Sequence, residues 1–526
     1  MLLPVLEYLY SHIALTRKKL FATKERSFYI MRESGILLPI SSLPSQYGIG
    51  CFSKEAYEFV DQLALANQKY WQILPLGPTS YGDSPYQSFS TYAGNPYFID
   101  LNTLIEEGVL TKKECDLADF GLDSRFIDYG KLYKARYKLL RKAYERSNIS
   151  QNPEFRTFQE ENAWWLDDYA LFMAVKGFFQ DECWDKWPED IKKRYGYALD
   201  YYREQLYFEI EFQKYMQFEF SIQWKKLKTY ANENGIRIIG DIPIYVAYDS
   251  ADTWAHPELF QLDEENVPLA VAGCPPDGFA ADGQLWGNPL YRWDYHRRTG
   301  YTWWMQRLSY AFYLYDVVRI DHFRGFDEYF SIPYGDTTAR NGHWEKGPGI
   351  ELFHRMKEVL GERDVIAEDL GYVTDSVRQM VFESGFPGMK VFEFAFDSRD
   401  TGCAGDYLPH NYPVNSVVYT GTHDNATLIG WYQDIPKESR EMLRDYIHDY
   451  TTSDRSLHWS VICRVMGSPA RICMIPMQDY LGLNNTCRIN TPSTLGTNWK
   501  WRLLDGEFTS DLQNKIKKLV RIYQRN

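Results

Sequence analysis

The chain has 526 residues, and its 58 basic and 71 acidic side chains give a formal net charge of −13. With 44% hydrophobic and 25% charged residues it has the composition of a globular protein, which excludes a disordered, collagenous or low-complexity chain. The negative charge and the lack of a basic stripe argue against a nucleic-acid partner, and no segment approaches the roughly 20 uncharged apolar residues of a membrane-spanning helix.

The first thirty residues are an apolar segment followed by basic residues. Met1–Tyr10 is apolar apart from Glu7, and the basic cluster at residues 17–19 comes after it. A secretory signal places its positive charges first, so this order predicts a cytoplasmic protein. Because Met31 directly precedes the first strand-like run, residues 1–30 are interpreted as an N-terminal appendage or an upstream start that is not native. The eight scattered cysteines, without a C-x-x-C pair, predict reduced thiols.

Eight short apolar runs recur along the chain, and helical segments separate most of them. The runs are rich in Val, Ile, Phe or Tyr, as buried strands are. They are Gly35–Ile40, Tyr70–Leu76, Arg237–Val246, Val317–Phe323, Asp364–Leu370, Met389–Phe396, Ser416–Asp424 and Arg471–Tyr480. Eight β–α units favour a (β/α)8 TIM barrel, whose reactive groups lie at the C-terminal ends of the strands. A doubly wound open sheet is the less favoured alternative, because no G-x-G-x-x-G turn follows the first strand.

Two connections are too long for a simple crossover. Residues 101–234 are charged and aromatic with helical spacing, which predicts a helical insertion after strand 2 that stops at Gly235. Residues 250–300 are dense in Gly and Pro, which predicts a loop-rich, lid-like insertion after strand 3. Residues 31–526 as a whole are assigned to the catalytic barrel.

Three predicted strands end in a carboxylate. Asp321 ends the fourth strand, and Arg319 lies two residues earlier on the same strand face. A guanidinium so close favours the ionised carboxylate that a nucleophile requires. Glu368 and Asp424 end the fifth and seventh strands in the same way. Each acid taken singly is more simply a cap for the next helix, but three such acids, two of them beside histidines, predict a shared site.

Three carboxylates at the mouth of one barrel suit glycoside chemistry. One attacks the anomeric carbon, one exchanges a proton with the leaving oxygen, and one stabilises positive charge or binds ring hydroxyls. A divalent-metal site also uses such acids, but the flanking Arg319 and Arg324 weigh against a cation. The chain has no P-loop, serine-hydrolase or zinc-protease motif, and we expect neither a metal nor a cofactor.

Aromatic residues make up 17% of the chain, and some lie in loops of sugar-binding character. Most rings are expected to fill the core, whereas a Tyr or Trp at the mouth suits the C–H face of a sugar. The loop after strand 2 offers Asp83, Ser84 and Tyr86 as sugar contacts, with an ordinary turn as the alternative. The second insertion offers Asp277 and Trp286, and Trp286 either stacks on a sugar or anchors its loop.

The same segments resemble the amylomaltases, the disproportionating 4-α-glucanotransferases of the α-amylase superfamily, from about Ser34 to Arg502. The matching segments are Gly35–Ser45, Tyr81–Pro96, Gly240–Val246, Gly283–Pro289, Arg319–Gly325, Glu368–Gly371, Thr422–Asn425 and Gln478–Leu483. The resemblance implies a barrel without a C-terminal β-domain. It also implies a retaining transferase that moves segments of α-1,4-glucan between maltooligosaccharide chains.

The resemblance further implies roles for individual residues. Asp321 matches the nucleophile that forms a glucosyl–enzyme ester, and Glu368 matches the acid/base. Asp424 matches the residue that binds sugar hydroxyls and stabilises the oxocarbenium-like transition state. The remaining substrate contacts are matched to Arg319, His322, His423 and Asn490.

Three positions depart from the family pattern. Gly278 stands where a Tyr is usual, Ser493 where a Gly is usual and Ala426 where an Asp is usual. None removes a catalytic group, so we expect activity with an altered chain-length preference. The three acids do not separate transfer from hydrolysis, because both reactions share the glucosyl–enzyme. An α-amylase-like hydrolase is therefore the alternative, and the resemblance favours transfer.

Overall fold

The computed structural model describes residues 31–80, 82–276, 281–371, 373–396 and 404–526. The N-terminal appendage predicted for residues 1–30 lies outside these ranges, as do the candidate contact Asp277 and the departure at Gly278. In the part of the chain that is described, none of the helices is long and apolar enough to pass through a membrane.

The strands of the described residues form a barrel and one separate sheet. In chain order they are β1 (Glu33–Leu37), β2 (Tyr70–Gln72), β3 (Arg237–Ile242), β4 (Ala270–Cys274), β5 (Gln284–Pro289), β6 (Val317–Ile320), β7 (Glu328–Pro333), β8 (His343–Lys346), β9 (Val365–Ala367), β10 (Gly388–Val391), β11 (Ser416–Tyr419) and β12 (Ile472–Pro476). The parallel strands β1, β2, β3, β6, β9, β10, β11 and β12 close into a barrel, because β1 pairs with both β2 and β12. This confirms the predicted (β/α)8 TIM barrel. Each barrel strand ends earlier than predicted, since the residues that follow it fold as loops or short helical turns.

Helices surround the barrel and fill the long connection between β2 and β3. The described α-helices are Lys54–Leu65, Leu101–Glu106, Lys112–Asp116, Tyr129–Arg146, Pro153–Phe178, Glu189–Lys192, Gly196–Gln205, Tyr207–Glu233, Ala251–Ala255, Trp293–Arg298, Thr302–Leu314, Glu351–Leu360, Asp375–Ser384, Leu428–Asp434, Lys437–Ile447, His458–Met466, Met477–Leu481 and Ser510–Tyr523. The helix Tyr207–Glu233 stops just before Gly235, whose φ of 76° permits the left-handed turn into β3. The proposed insertion boundaries remain predictions.

A four-stranded antiparallel sheet, in the order β5-β4-β7-β8, accompanies the barrel. Its strands lie in the connections that follow β3 and β6. The sequence analysis did not predict this sheet, because the Gly and Pro content of residues 250–300 indicated loops. Along β5, Trp286 is half-buried whereas Leu285 faces solvent. The sheet therefore presents Trp286 on its protein-facing side.

Several of the many aromatic side chains fill the interior. The rings of Trp71, Trp184, Trp254, Trp304 and Trp501 are almost completely buried. A second hydrophobic cluster joins the helix Pro153–Phe178 to the helix Ala251–Ala255, and in it Phe172 and Trp187 both contact Trp254. Aromatic packing thus attaches the helices between β2 and β3 to the loops that follow β3.

Candidate active site

The fourth, fifth and seventh barrel strands bring the three predicted acids to one end of the barrel. Asp321 directly follows β6, Glu368 directly follows β9, and Asp424 lies in the loop after β11. The backbone N–H of Asp321 donates to the carbonyl of Ile242 on β3 at 2.9 Å, and that of Glu368 donates to Ile320 on β6 at 3.1 Å. Barrel hydrogen bonding therefore continues to the first two acids and fixes their backbone positions.

Arg319 is the buried cation of this cluster. Its Nη1 lies 3.0 Å from Oδ1 of Asp321, and 2.8 and 2.7 Å from the two carboxylate oxygens of Asp241 at the end of β3. The Asp241 carboxylate also accepts the hydroxyl hydrogen of Tyr86 at 2.7 Å. The Arg319 and Asp241 side chains are 4% and 0% exposed. The guanidinium therefore links Asp321 to β3 and to the loop after β2.

Asp241 is a site residue that the sequence analysis did not assign. It lies in Gly240–Val246, which carried the resemblance, but it is surrounded there by apolar residues. A charged residue inside a buried strand requires a buried partner of opposite charge. This requirement was the signal in the sequence that could have assigned Asp241 to the site. The preceding Gly240 is needed because a Cβ there would lie 2.1 Å from the Tyr315 ring. Glycine thus lets Tyr315 pack directly beside β3.

The electrostatic surroundings of Asp321 are mixed. Burial raises the pKa of Asp321 to about 6, Arg319 opposes this rise, and the negative charges of Asp241 and Asp424 add to it. Arg319 was expected to favour the ionised form, and it does lower the pKa. The net shift is nevertheless upward, because burial dominates and the same guanidinium also serves Asp241. The side chain of Asp321 is 29% exposed, so a substrate in the mouth of the barrel can contact it.

Glu368 is held by two backbone N–H groups. The N–H of His322 donates to Oε2 at 2.7 Å, and that of Leu370 donates to Oε1 at 2.8 Å. His322 adopts the left-handed backbone conformation, with a φ of 51°, which a non-glycine residue keeps only where its surroundings enforce it. Burial raises the pKa of Glu368 to about 7 and the charge of Asp321 adds to the rise, whereas Arg319 opposes it. A carboxyl group that titrates near neutral pH suits general acid/base chemistry.

Asp424 is held in its ionised form. Its Oδ2 lies 3.3 Å from Nε2 of His423, its Oδ1 accepts the side-chain amide of Asn490 at 2.6 Å, and its backbone carbonyl accepts Arg488. Burial opposes the charge, but His423 and Asn490 together hold the pKa of Asp424 well below its usual range. Asp424 in turn raises the pKa of His423 against the effect of burial. The sequence analysis did not assign Arg488, whose partner is distant in the chain.

Aromatic rings line the same region. Tyr86 stacks on His423 with centroids 5.2 Å apart and planes at 14°, and Trp499 lies 5.9 Å from Tyr86. Trp286 meets His322 edge to face at 4.9 Å. The indole N–H of Trp286 donates within its own strand to the side chain two residues earlier, at 3.0 Å. Four predicted residues therefore form two ring pairs, one beside Asp424 and one beside Asp321.

Asp83 and Ser84 shape the turn that carries Tyr86. The Ser84 hydroxyl accepts the backbone N–H of Tyr86 at 3.3 Å. Asp83 has a left-handed φ of 58° and lines a cavity of about 20 Å³ together with Tyr97 and Trp499, which is room for about one water molecule. Such contacts are the ones expected if these residues only form an ordinary turn. A sugar-binding role for Asp83 and Ser84 stays a prediction.

The acids of the cluster contact protein donors. Asp241 and Asp321 share a guanidinium, Glu368 accepts two N–H groups, and Asp424 contacts an imidazole and an amide. Across the described ranges, no group of three or more His, Cys, Asp or Glu side chains is placed to hold a metal ion.

Comparisons with known proteins identify the family. The family described as "4-alpha-glucanotransferase" matches residues 38–507. This chain belongs to that family. The 4-alpha-glucanotransferase of Clostridium butyricum is 50% identical over 488 residues, which cover 92% of this chain and 99% of the relative. That of Thermus thermophilus is 45% identical over 503 residues, which cover 94% of this chain and 99% of the relative.

A solved structure gives the same family. The amylomaltase from Streptococcus agalactiae, in complex with acarbose, is 40% identical and has a TM-score of 0.91, covering 94% of this chain and 100% of that chain. Family membership confirms the predicted activity, a glycosyltransferase acting on α-1,4-glucans, and does not favour the hydrolase alternative.

Proposed function

We propose that this 4-α-glucanotransferase works by double displacement, with Asp321 as the nucleophile, Glu368 as the acid/base and Asp424 as the stabiliser of the transition state. The observation that supports it is the position of the three acids at one end of the barrel, where Asp321 and Glu368 directly follow the neighbouring strands β6 and β9, and Asp424 lies in the loop after β11. Burial is the main cause that raises the pKa values of Asp321 and Glu368, and the charge of Asp424 adds to the first shift and that of Asp321 to the second. Environments that set carboxyl pKa values apart give such groups different roles.

In the first step, an Asp321 carboxylate oxygen attacks C1 of the glucosyl unit at the cleaved bond. The C1–O4 bond breaks, its electron pair stays on O4, and Glu368 donates a proton to that oxygen. The departing glucan has a free 4-hydroxyl, and the retained glucan is joined to Asp321 as a β-linked ester. Arg319, 3.0 Å from Asp321, orients the attacking carboxylate.

In the second step, the 4-hydroxyl of another glucan attacks C1. Glu368, now ionised, takes the hydroxyl proton, and the electron pair of the C1–ester bond returns to Asp321. This second inversion restores the α-linkage. Water at the same position would give hydrolysis, so the sugar must outcompete it. Trp286 and His322, which pack edge to face, are the candidate contacts that hold the acceptor and exclude water.

Asp424 acts on the charge that develops at the sugar. In the transition state the ring carries positive charge on C1 and its oxygen, and a fixed anion nearby stabilises it. His423 and Asn490 keep Asp424 ionised and hold its carboxylate in one orientation. The lowered pKa of Asp424 supports this role, since the group stays charged wherever the other two acids titrate.

Substrate range and location are further parts of the proposal. The similar amylomaltase from Streptococcus agalactiae was solved with acarbose, and we propose that maltooligosaccharides occupy the corresponding mouth of this barrel. We also propose a cytoplasmic location. The seven cysteines of the described residues are free thiols, a state that a reducing compartment preserves.

The experiment that tests this function is incubation with maltotriose, with products resolved by chain length and total reducing ends counted. We expect both longer and shorter oligosaccharides while the number of reducing ends stays constant, because each transfer breaks one linkage and forms another. A steady rise in reducing ends without longer products would assign the chain to hydrolysis. The Asp321→Asn variant provides the background rate.

The pH dependence of the reaction follows from the pKa values of the two reacting acids. We expect kcat/KM to be bell-shaped, with its maximum between about pH 6 and about pH 7. Below this window protonation of Asp321 removes the nucleophile, and above it Glu368 loses the proton that the leaving oxygen needs. Initial rates on maltotriose across the pH range measure the profile. A rate that stays constant well above pH 7 would exclude Glu368 as the acid.

A further inference from the structure

A buried carboxylate stands behind the loop that carries Asp424. Asp479 follows β12, lies in the short helix Met477–Leu481 and is 1% exposed. Its Oδ2 accepts the hydroxyl of Thr420 at 2.5 Å, and its Oδ1 accepts the backbone N–H of Leu428 at 2.8 Å. Thr420 is the first residue after β11, and Leu428 is the first residue of the helix Leu428–Asp434. The single carboxylate therefore joins the two ends of the loop between them.

The loop between those anchors carries two residues of the candidate site. His423 and Asp424 lie near its middle, and Asn425 closes its interior by accepting the N–H and hydroxyl of Thr422 at 2.9 and 2.8 Å. Asn490 donates to the Asp424 carboxylate within the loop, whereas Asp479 accepts from Thr420 and Leu428 at its two ends. Asn485 also accepts the N–H of Thr427, next to the second end, at 3.1 Å. Asp479, in the short helix that follows β12, is thus a side chain that bonds both ends of the loop.

We propose that Asp479 is a positioning residue, which places Asp424 and His423 against the glucosyl unit by joining Thr420 to Leu428. The inference rests on the proposed function of Asp424. Asp479 acts through the loop and has its two oxygens occupied by Thr420 and Leu428. Removal of its carboxylate leaves two buried donors unsatisfied, and the loop must shift to satisfy them.

The expected effect is on kcat more than on KM. Contacts of Asp424 with the sugar strengthen as positive charge develops, and a displacement of about 1 Å in such a group costs about 100-fold in rate. We therefore expect Asp479→Ala to lower kcat about 100-fold while KM changes by less than about threefold. Asp479→Asn should recover most of the rate, because its Oδ1 accepts Leu428 and its amide donates to the Thr420 hydroxyl.

Asp316 offers a control at the opposite end of the barrel, although its side chain is 19% exposed and lies 3.6 Å from Lys228. Its Oδ2 also accepts one backbone N–H, from Ile238 at 2.8 Å, and one side-chain N–H, from Asn232 at 2.7 Å. Asp316→Ala should lower the unfolding temperature as Asp479→Ala does, yet leave kcat near the wild-type value. Thr420→Val, which removes one of the two bonds to Asp479, should give a smaller fall in kcat and serves if Asp479→Ala does not fold.

The donor α-maltotriosyl fluoride separates the possible routes of action. Fluoride leaves with little help from an acid, so a loss that arises from a disturbed Glu368 would shrink with this donor. A loss that acts through Asp424 should persist, because the same positive charge develops at the sugar. Equal falls in kcat for Asp479→Ala and Asp316→Ala, or recovery of Asp479→Ala with the fluoride, would overturn the inference. Neither outcome would alter the proposed function, which is tested separately by the activity of Asp321→Asn and by the redistribution of maltotriose.

Discussion

Replacement of Asp321 by Asn should lower kcat on maltotriose by about 10⁴-fold or more, since loss of a covalent nucleophile removes the main reaction path. Glucan binding should change little, because the substitution keeps the shape of the side chain and Arg319 retains Asp241 as its buried counter-ion. Steady-state rates measure the first effect, and calorimetric titration with maltohexaose measures the second. Activity near that of the unmodified enzyme would remove Asp321 from its proposed role.

Azide provides a chemical control for the same position. The Asp321→Ala variant has a small cavity beside Arg319 where the carboxylate was. An azide anion should bind in this cavity and attack C1. One displacement inverts the anomeric carbon, so α-maltotriosyl fluoride should give β-maltotriosyl azide. An α-linked azide, which requires two inversions, would show that another residue of the enzyme forms the covalent ester.

The barrel could be predicted from the sequence because a strand buried on both faces is a continuous apolar run. β9 and β12 are such runs, and all eight predicted strands form in the barrel. The antiparallel sheet could not be predicted in this way, because β5 contains Gly, Asn and Pro, which disfavour strands. β5 pairs with β4, and β4 pairs with β7, which lies beyond the fourth barrel strand in the sequence. Pairing between distant segments overrides the local preference of these residues.

The three acids could be predicted because each follows the end of a strand, where a TIM barrel places its reactive groups. Asp241 and Arg488 could not be assigned, because each acts through a partner far away in the sequence. The pKa of Asp321 shows the same limit. Its neighbour Arg319 is visible in the sequence, but burial and the sharing of Arg319 with Asp241 are not, and they reverse the net shift.

One departure from the family pattern has a direct consequence for the backbone conformation. Ser493 stands where the family usually has Gly, and it adopts a φ of 63°. In this left-handed region glycine is unstrained, whereas a residue with a Cβ costs about 1–2 kcal/mol. Ala426 is half-buried and packs against the main core, and nothing in the structure explains the change from Asp. The change at Ser493 strains its loop.

Replacement of Glu368 by Gln should lower kcat on maltotriose by about 10²- to 10⁴-fold, the usual contribution of a general acid. The loss should be greatest for poor leaving groups. With α-maltotriosyl fluoride the first step should recover most of its rate, because fluoride departs without a proton, and the ester on Asp321 should accumulate since no base activates the acceptor hydroxyl. Mass spectrometry of the trapped protein would detect this ester.

The pH profile of Glu368→Gln gives an independent check. Removal of the acid that titrates near pH 7 should abolish the fall in rate at higher pH and keep the fall at lower pH, which belongs to Asp321. Glu368 also accepts the N–H groups of His322 and Leu370, and Gln accepts at one oxygen, so thermal unfolding must be measured alongside. A folded variant that retains the alkaline limb would assign that proton to another group and leave the leaving oxygen without its proposed donor.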